Sequence, residues 1–557
     1  MNMTIRPAAG GYLALAPLLA WACGTTGDRD DAVISETSAP GSDGGTSTTA
    51  ATSVSGETTS ATGPADSSGS GSGQGPIFDV GVGDESGTTG APIDICKVSD
   101  EGDAMGPCEM KAPADSFAPM LQWSWAGQGS FNDSIVTPLV GNLTDDNGDG
   151  EIDLCDTPDI VVTVNTGTCA DAHLFVLDGA TGSLHFEIVA AVARASTPAI
   201  GDIDGDGLME IVAQTGSNGS CGGSGVSAWE HDGTPKWQND GMGLSGEHAI
   251  ALADLDNDGS TEIIIANRVL DGDGNQLFAA GDTDFSSLYW TSSAAADLDD
   301  DGDLELVLGR SAWHHDGSQL FSTSIEGGHP TIGDIDDDGA PEIIVIQSSG
   351  FTILEHDGTV KLGPMNPTGD GDWRRPATIH DLDGDDHAEF AVSSSNHYTS
   401  FEGDASTNWS APVADLSGLA SGTAFDFLGD GIAEAIYGDE SQLWVFDGLS
   451  GDVQLMAPRG SITIIEYPVV ADVDNDGSAE IVVVTNHNDA HPTVQVYRDA
   501  QDRWIQARRI WNQHTYHVTN VREDGTIPQH EPPHWQYLNT FRTNAQIEGG
   551  SVCEPEG

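Results

Sequence analysis

Between about residues 119 and 510 the chain alternates short apolar segments with strongly polar turns. Within segments such as EIVAQ and EIIVI, β-branched residues dominate, and Gly or Asp-Gly marks most segment ends. This pattern predicts β-strands, and turns such as His-Asp-Gly between paired segments predict hairpins. No stretch keeps a helical period for long. The pattern therefore predicts an all-β protein.

An acidic loop recurs between these predicted strands and leads directly into the second strand of each pair. Its complete form is Asp-x-Asp-x-Asp-Gly-x-x-Glu, with carboxylates at positions 1, 3, 5 and 9. Five copies have this form, and they supply Asp202, Asp204, Asp206 and Glu210; Asp254, Asp256, Asp258 and Glu262; Asp297, Asp299, Asp301 and Glu305; Asp334, Asp336, Asp338 and Glu342; and Asp472, Asp474, Asp476 and Glu480.

Three further copies depart from the complete form. Asp386 replaces the turn glycine in one of them, and Leu428 replaces the third-position ligand in another. The residues that these copies supply are Asp145, Asn147, Asp149 and Asp153; Asp381, Asp383, Asp385 and Glu389; and Asp426, Asp430 and Glu434. We expect the loop with Leu428 to bind a metal weakly or not at all.

The acidic loops predict bound cations, because four carboxylates within nine residues repel one another. Oxygen ligands at alternate positions, with glycine at the sharp turn, suit the adaptable coordination of Ca²⁺ better than that of Mg²⁺. We therefore expect several structural Ca²⁺ ions as cofactors. EF-hands are excluded, because a strand follows each loop and position twelve is apolar, as at Ala213 and Ile265.

The number and spacing of the loops predict the architecture. Eight loops over residues 119–510 give about 49 residues per unit, which is typical of a four-stranded propeller blade. A single short sheet cannot bury both faces, whereas radial stacking hides them. We expect a β-propeller of eight blades, or alternatively seven. The segment from Met120 to Trp125 resembles a hairpin strand and is a candidate to close the ring with the last blade.

Strings such as TPAIGDIDGDGLMEIV resemble the FG-GAP or VCBS repeats of bacterial surface proteins, which are related to the calcium-bearing blades of integrin α-subunits. The resemblance covers roughly 390 of the 557 residues. It implies Ca²⁺ in loops between blade strands, with side-chain ligands at positions 1, 3, 5 and 9 and a backbone carbonyl at position 7. It does not imply one activity, because fold and function separate.

The N-terminus predicts export. Residues 1–22 have the form of a signal peptide, in which Arg6 precedes an apolar stretch too short to span a membrane. Cys23 resembles the acylated cysteine of bacterial lipoproteins, and Gly24 after it favours the outer membrane. We expect an outer-membrane lipoprotein facing the periplasm or the cell surface, with plain secretion as the alternative. Residues 23–93, rich in Gly, Ser and Thr, predict a disordered tether.

The charge of the chain limits the molecules that it can bind, and its cysteine content predicts disulfides. Eighty-nine acidic against eighteen basic residues give a formal charge of −71, which excludes nucleic acid and leaves a lipid anchor as the only membrane contact. Six cysteines besides Cys23 predict disulfides in an exported chain. The pairs with the shortest separation are Cys96 with Cys108 and Cys155 with Cys169, but the sequence leaves the connectivity open.

Two segments flank the predicted propeller. Residues 94–118 form a cysteine-containing lead-in, and residues 511–557 form a segment of aromatic, His and Arg residues that we expect to cap the propeller. In the tail, four histidines are candidates for a transition-metal site, although packing is the favoured interpretation. They are His514, His517, His530 and His534.

No catalytic signature accompanies these features: the chain has no GxSxG, HExxH, P-loop or Rossmann glycine pattern. Arg374 and Arg375 form an unusual cationic pair that could meet an anionic ligand, but a salt bridge is the favoured reading. We therefore expect a non-enzymatic surface module that binds protein or glycan. The alternative is a polysaccharide lyase or hydrolase on the same scaffold.

Overall fold

The computed structural model describes residues 96–98, 107–114, 116–167, 172–216, 222–282, 290–416, 419–486 and 491–553. The chain divides into two units, Met1–Gly87 and Thr88–Gly557, and every described residue belongs to the second. The predicted signal peptide and tether, together with Cys23, Cys169 and Cys221, lie outside the described residues. In the described part of the chain, none of the helices has the length and hydropathy of a membrane span.

Eight four-stranded antiparallel sheets make up the fold, which confirms the predicted all-β propeller with eight blades rather than seven. Strand β1 spans Pro119–Trp125. Blade 1 consists of β2 (Leu139–Gly141), β3 (Asp159–Asn165), β4 (Ala172–Asp178) and β5 (Leu184–Ile188), and blade 2 of β6 (Ala199–Gly201), β7 (Glu210–Gln214), β8 (Val226–Trp229) and β9 (Pro235–Asn239). After β10 (Glu247–His248), blade 3 consists of β11 (Ile250–Ala253), β12 (Glu262–Ile265), β13 (Arg268–Leu270) and β14 (Gln276–Ala279). After β15 (Trp290–Thr291), blade 4 consists of β16 (Ala294–Ala296), β17 (Glu305–Val307), β18 (Ser311–Trp313) and β19 (Gln319–Ser322).

The second half of the ring repeats this arrangement. Blade 5 consists of β20 (His329–Gly333), β21 (Glu342–Gln347), β22 (Gly350–Glu355) and β23 (Val360–Met365), and blade 6 of β24 (Thr378–His380), β25 (Glu389–Ser393), β26 (His397–Phe401) and β27 (Thr407–Pro412). Blade 7 consists of β28 (Gly422–Phe425), β29 (Glu434–Gly438), β30 (Gln442–Phe446) and β31 (Val453–Pro458), and blade 8 of β32 (Val469–Ala471), β33 (Glu480–Val484), β34 (Val494–Asp499) and β1. A short 3-10 helix, His534–Gln536, and the hairpin β35 (Ile547–Glu548) and β36 (Ser551–Val552) follow.

The ring closes through its first and last strands. β1 pairs antiparallel with β34, so that Pro119 faces Asp499 and Trp125 faces Val494. This confirms the role predicted for the segment from Met120 to Trp125. The first strands of neighbouring blades contact one another around the ring, and they therefore line its axis. Second strands such as β7 are wholly buried, whereas outer strands such as β9 are partly exposed.

Neighbouring blades interlock through an aromatic ring that covers a hairpin glycine. The indole of Trp237, on β9, lies over Gly274 of the next blade, where an added Cβ would come within 2.6 Å of the ring. Gly274 has a φ of +79°, so both its backbone and its surroundings require glycine. The indole N–H of Trp237 donates to the carbonyl of Gly272 at 2.8 Å. The aromatic residue and the Asp-Gly turn of the repeat thus form one contact between blades.

The C-terminal segment, residues 500–553, fills the end of the axis to which the acidic loops belong. It makes hydrogen bonds with an inner strand, or with the residue just before one, in every blade. Its partners are Val140, Ile200, Leu252, Ser293, Thr331, Ile379, Thr423 and Val470. The predicted capping segment therefore contacts all eight blades.

Apolar side chains close the other end of the axis. They come from the segments that enter the inner strands of several blades, and they form one buried cluster with Trp290 at its margin. The cluster consists of Ile135, Val136, Ala195, Leu419, Ile464 and Ile465.

Two disulfides tie the lead-in to the propeller, and both differ from the shortest-separation pairs expected from the sequence. Cys96 bonds to Cys155, and Cys108 bonds to Cys553, which is 445 residues away. The sequence had left the connectivity open, and the fold brings the lead-in and the C-terminal segment together at the loop face. The partners of Cys169 and Cys221 are not described.

Candidate metal centres in the blade loops

The acidic loops of blades 2 to 8 share one hydrogen-bond pattern. The position-1 carboxylate accepts backbone N–H groups from the turn; in blade 2, Gly205 and Gly207 donate to Asp202 at 2.7 and 2.9 Å. One oxygen of the position-9 glutamate accepts the N–H of position 2, as Glu210 does from Ile203 at 3.0 Å. The same bond recurs at Glu262, Glu305, Glu342, Glu389, Glu434 and Glu480. Each glutamate is thus the first residue of the second strand of its blade, and its other carboxylate oxygen takes no part in this bond.

Carboxylates of one loop lie close enough to share an ion. Ligand oxygens of Asp202, Asp204 and Glu210 all lie within 4.8 Å of one another. Burial, reinforced by neighbouring aspartates, raises the pKa of Glu262 to about 8 and that of Glu389 to about 9. Without a cation these groups therefore resist ionisation. An ion with oxygen-rich coordination, such as Ca²⁺, suits this donor set.

Blades 6 and 8 provide the clearest fit for a cation. Both Glu389 and Glu480 are fully buried, and Oε1 of each has no hydrogen-bond partner among the described residues. A buried carboxylate oxygen without a partner is costly, so such atoms point to a missing ligand. Within reach in the same loops are the predicted ligands Asp381, Asp383 and Asp385, and Asp472, Asp474 and Asp476.

In blades 2 and 5, the ammonium of a lysine on the fourth strand contacts Oε1 of the position-9 glutamate. The ammonium of Lys236 lies 2.6 Å from Oδ2 of Asp204 and 3.2 Å from Oε1 of Glu210. The ammonium of Lys361 lies 2.7 Å from Oε1 of Glu342 and also contacts Asp336. These contacts could not be predicted from the sequence, because a whole hairpin separates each lysine from its loop glutamate.

Blade 1 departs from the others because its loop carries an insertion. Within the insertion, Gly148 and Gly150 donate to Asp145 as in the other loops. However, Asp159, and not Asp153, begins the second strand, and it accepts a backbone N–H from Leu143, two residues before Asp145, at 2.9 Å. Sequence reasoning missed Asp159, although its place before a β-branched run was a usable signal. Burial raises its pKa to about 8.

The other sequence candidates lie apart from the loops. His517 and His534 have ring centroids 4.7 Å apart, but His517 is bound to Glu531, and His514 packs against Tyr467 instead. The four tail histidines therefore do not form one cluster. Arg375 is fully buried in an ion pair with Asp415, Nε to Oδ2 at 2.8 Å, which agrees with the favoured salt bridge. Arg374 is exposed.

A cavity of about 190 Å³ opens on the loop face, between the loops of blades 5, 6 and 7 and the C-terminal segment. Its wall combines loop carboxylates, among them Asp381, with the aromatic rings of Trp535 and Tyr537. Two of its polar atoms, Oγ1 of Thr540 and Oε1 of Gln546, are buried and find no hydrogen-bond partner in the described part of the chain. The cavity is therefore rich in acceptors.

Comparison with known proteins places the fold. No family model matches the chain, and no curated protein matches it. Among solved structures, the V. cholerae biofilm matrix protein Bap1 is similar at 21% identity with a TM-score of 0.69, covering 79% of this chain and 100% of that one. The rhamnogalacturonan lyase YesW is similar at 16% identity with a TM-score of 0.51, covering 80% and 83%. At these identities the likeness shows a shared propeller fold.

Proposed function

We propose that this chain is an exported, calcium-stabilised propeller that binds glycan at the cell surface as an adhesion module. The cavity between blades 5 and 7 carries this proposal. Loop carboxylates offer acceptors, and the exposed ring of Tyr537 offers an apolar face. A sugar has hydroxyl donors that can bind to the acceptors and an apolar ring face that can pack on the tyrosine ring.

The amide donors around the cavity support a ligand that donates hydrogen bonds. The side-chain amide of Gln546 donates to the carbonyl of Met110 at 3.2 Å, and that of Asn544 donates to the carbonyl of Val470 at 2.8 Å. The side-chain amide of Asn539 donates to the carbonyl of Asp334. These donors are engaged by the protein, so the ligand must supply its own.

Export and surface display rest on two supports. Two disulfides are typical of proteins that mature in an oxidising compartment. The similar protein Bap1 is named as a biofilm matrix protein. An outer-membrane lipid anchor at Cys23 and the disordered tether belong to the same proposal. Labelling cells with a fatty-acid probe tests the anchor: wild type should be labelled and Cys23→Ser should not.

Binding of immobilised glycans by the purified propeller, with calcium present, tests the function. Tyr537→Ala should abolish binding to the glycans that wild type retains. The matched control is Met456→Ala, an exposed residue on β31 that does not line the cavity, and it should bind as wild type does. Binding that survives Tyr537→Ala would locate the ligand elsewhere, and retention of a protein but no glycan would redirect the proposal.

A polysaccharide lyase or hydrolase is the second candidate. YesW, a lyase, shares the fold, and the carboxylates of the cavity are potential acid–base groups. The binding module is favoured because the chain carries none of the catalytic motifs sought in its sequence. Release of new reducing ends from a bound polysaccharide would favour the enzyme.

A further inference from the structure

The side chain on the fourth strand distinguishes the loops of blades 2 and 5 from those of blades 6 and 8, whereas in blade 4 a histidine, His314, lies 2.9 Å from Oε1 of the loop glutamate Glu305. In blades 2 and 5 this residue is a lysine, Lys236 on β9 and Lys361 on β23. Each lysine stands three residues after its hairpin glycine, Gly233 or Gly358, so the two share one register. In blade 8 the fourth strand, β1, places the neutral amide of Gln122 beside the loop instead, and the fourth strand of blade 6 carries Asn408 and no lysine.

Each lysine ammonium contacts three carboxylates of its own blade. Lys236 lies within 3.2 Å of Asp204, Glu210 and Glu230, and its side chain is only 14% exposed. Lys361 contacts Asp336, Glu342 and Glu355 and is 17% exposed. The contacts include Oε1 of the position-9 glutamate, whose other oxygen is already bound to the backbone.

In blades 6 and 8, no lysine or arginine among the described residues contacts the position-9 glutamate, although Arg498 lies 4.0 Å from Asp476 in the blade 8 loop. In blade 8, the amide of Gln122 donates to Oδ2 of Asp474 at 2.6 Å and leaves Glu480 untouched. Oε1 of Glu480 and Oε1 of Glu389 are both buried without a hydrogen-bond partner in the described structure. The atom that the lysines neutralise in blades 2 and 5 is thus bare in blades 6 and 8.

We infer that Lys236 and Lys361 are built-in counter-ions that replace the metal in blades 2 and 5, and that divalent ions are confined to loops without a lysine, including those of blades 6 and 8. An ammonium on Oε1 of the glutamate places a positive charge beside the position that a Ca²⁺ ion would take, and the like charges repel at this separation. The resemblance to calcium-bearing repeats therefore overstates the number of metal sites. This inference rests on the calcium part of the proposed function.

Calcium stoichiometry tests the inference. The full chain, freed of metal, is equilibrated with Ca²⁺ alone, and bound calcium is measured for each variant. Lys236→Met and Lys361→Met should each gain one ion over wild type. Glu389→Gln and Glu480→Gln should each lose one, whereas Glu210→Gln should lose none. Arg374→Met, the exposed-cation control, should match wild type.

Thermal unfolding gives a second readout that does not depend on counting ions. Lys236→Met should melt below wild type in a chelator and recover with calcium, because the new ion replaces the lost ammonium. Bound calcium in wild type with no gain in either lysine variant would overturn the inference and leave the calcium proposal intact. Absence of bound calcium from every protein would overturn both.

Discussion

The backbone N–H of Ala112 donates a hydrogen bond to the carbonyl oxygen of Leu428, at 2.8 Å. Leu428 stands at position 3 of the blade 7 loop, where the complete loops carry an aspartate. The lead-in therefore docks on the one loop that lacks this ligand. Gly429 lies so close to the lead-in that an added Cβ would come within 2.6 Å of the carbonyl of Met110. Contacts with the lead-in thus support the blade 7 loop.

Aromatic side chains also pack against the blade 7 loop. We expect this packing to stabilise the fold whether or not calcium is present. Trp504 is buried, and its ring centroid lies 4.4 Å from that of Phe427 and 5.4 Å from that of Phe117. Trp504→Ala should lower the free energy of unfolding by about 3–5 kcal/mol, because it leaves a large cavity. Denaturant titrations should give the same loss with calcium and with a chelator. A loss that appears only with calcium would show that blade 7 holds a metal after all.

The repeat determined how much of this fold was predictable. Strand periodicity, the loop spacing and the segment from Met120 to Trp125 predicted eight closed blades, because these signals are local. The Cys108–Cys553 pair was not predictable, since 445 residues separate its members and only the closed ring brings them together. The same holds for Lys236, whose contact with Glu210 depends on the pairing of strands within blade 2. Asp159 was missed because the insertion in blade 1 displaced the motif from the strand that it normally precedes.

Arg542 holds three blades together without a carboxylate partner among the described residues. It is fully buried, and its guanidinium donates to Oγ1 of Thr331 and to the carbonyl of Ala377, both at 2.9 Å. It also reaches Ser292, and burial lowers its pKa to about 10. Arg542→Met should lower the free energy of unfolding by about 3 kcal/mol, because carbonyl oxygens of several blades lose their donor.

Equilibrium denaturation checks this loss against a surface arginine. Arg374→Met removes the same charge from an exposed position and should change the free energy of unfolding by less than about 0.5 kcal/mol. Equal effects of the two substitutions would mean that the segment after Asp499 does not stabilise the ring.

The Cys108–Cys553 disulfide fixes the lead-in to the end of the chain. Nearby, the backbone N–H groups of Glu109 and Met110 donate to the carboxylate of Glu548, at 2.7 and 3.1 Å. Replacing both cysteines by serine should lower the free energy of unfolding by about 2–5 kcal/mol. Limited proteolysis should then cut the lead-in first. The Cys96–Cys155 pair closes a shorter span, so its double serine variant should lose less.

The buried glutamates predict an inverted pH dependence for the metal-free protein. Burial raises the folded-state pKa of Glu262 to about 8 and that of Glu389 to about 9, well above the ordinary value of 4.5. A carboxyl group with a raised pKa stabilises the fold while it stays protonated, below the unfolded pKa, and that contribution is lost as pH rises towards the folded pKa. In a chelator, the melting temperature should therefore fall between about pH 5 and pH 9.

Calcium should reverse this trend, because the ion binds the ionised carboxylates and offsets their repulsion. The rise in melting temperature on adding calcium should be larger at high pH than at low pH. Glu389→Gln isolates one site: its amide cannot ionise, so in a chelator at high pH it should melt at or above wild type, whereas with calcium it should melt below. Melting curves of both proteins across this pH range measure the crossover. Parallel curves, with Glu389→Gln below wild type under every condition, would mean that Glu389 serves the loop through its hydrogen bond to Leu382 and not through a metal.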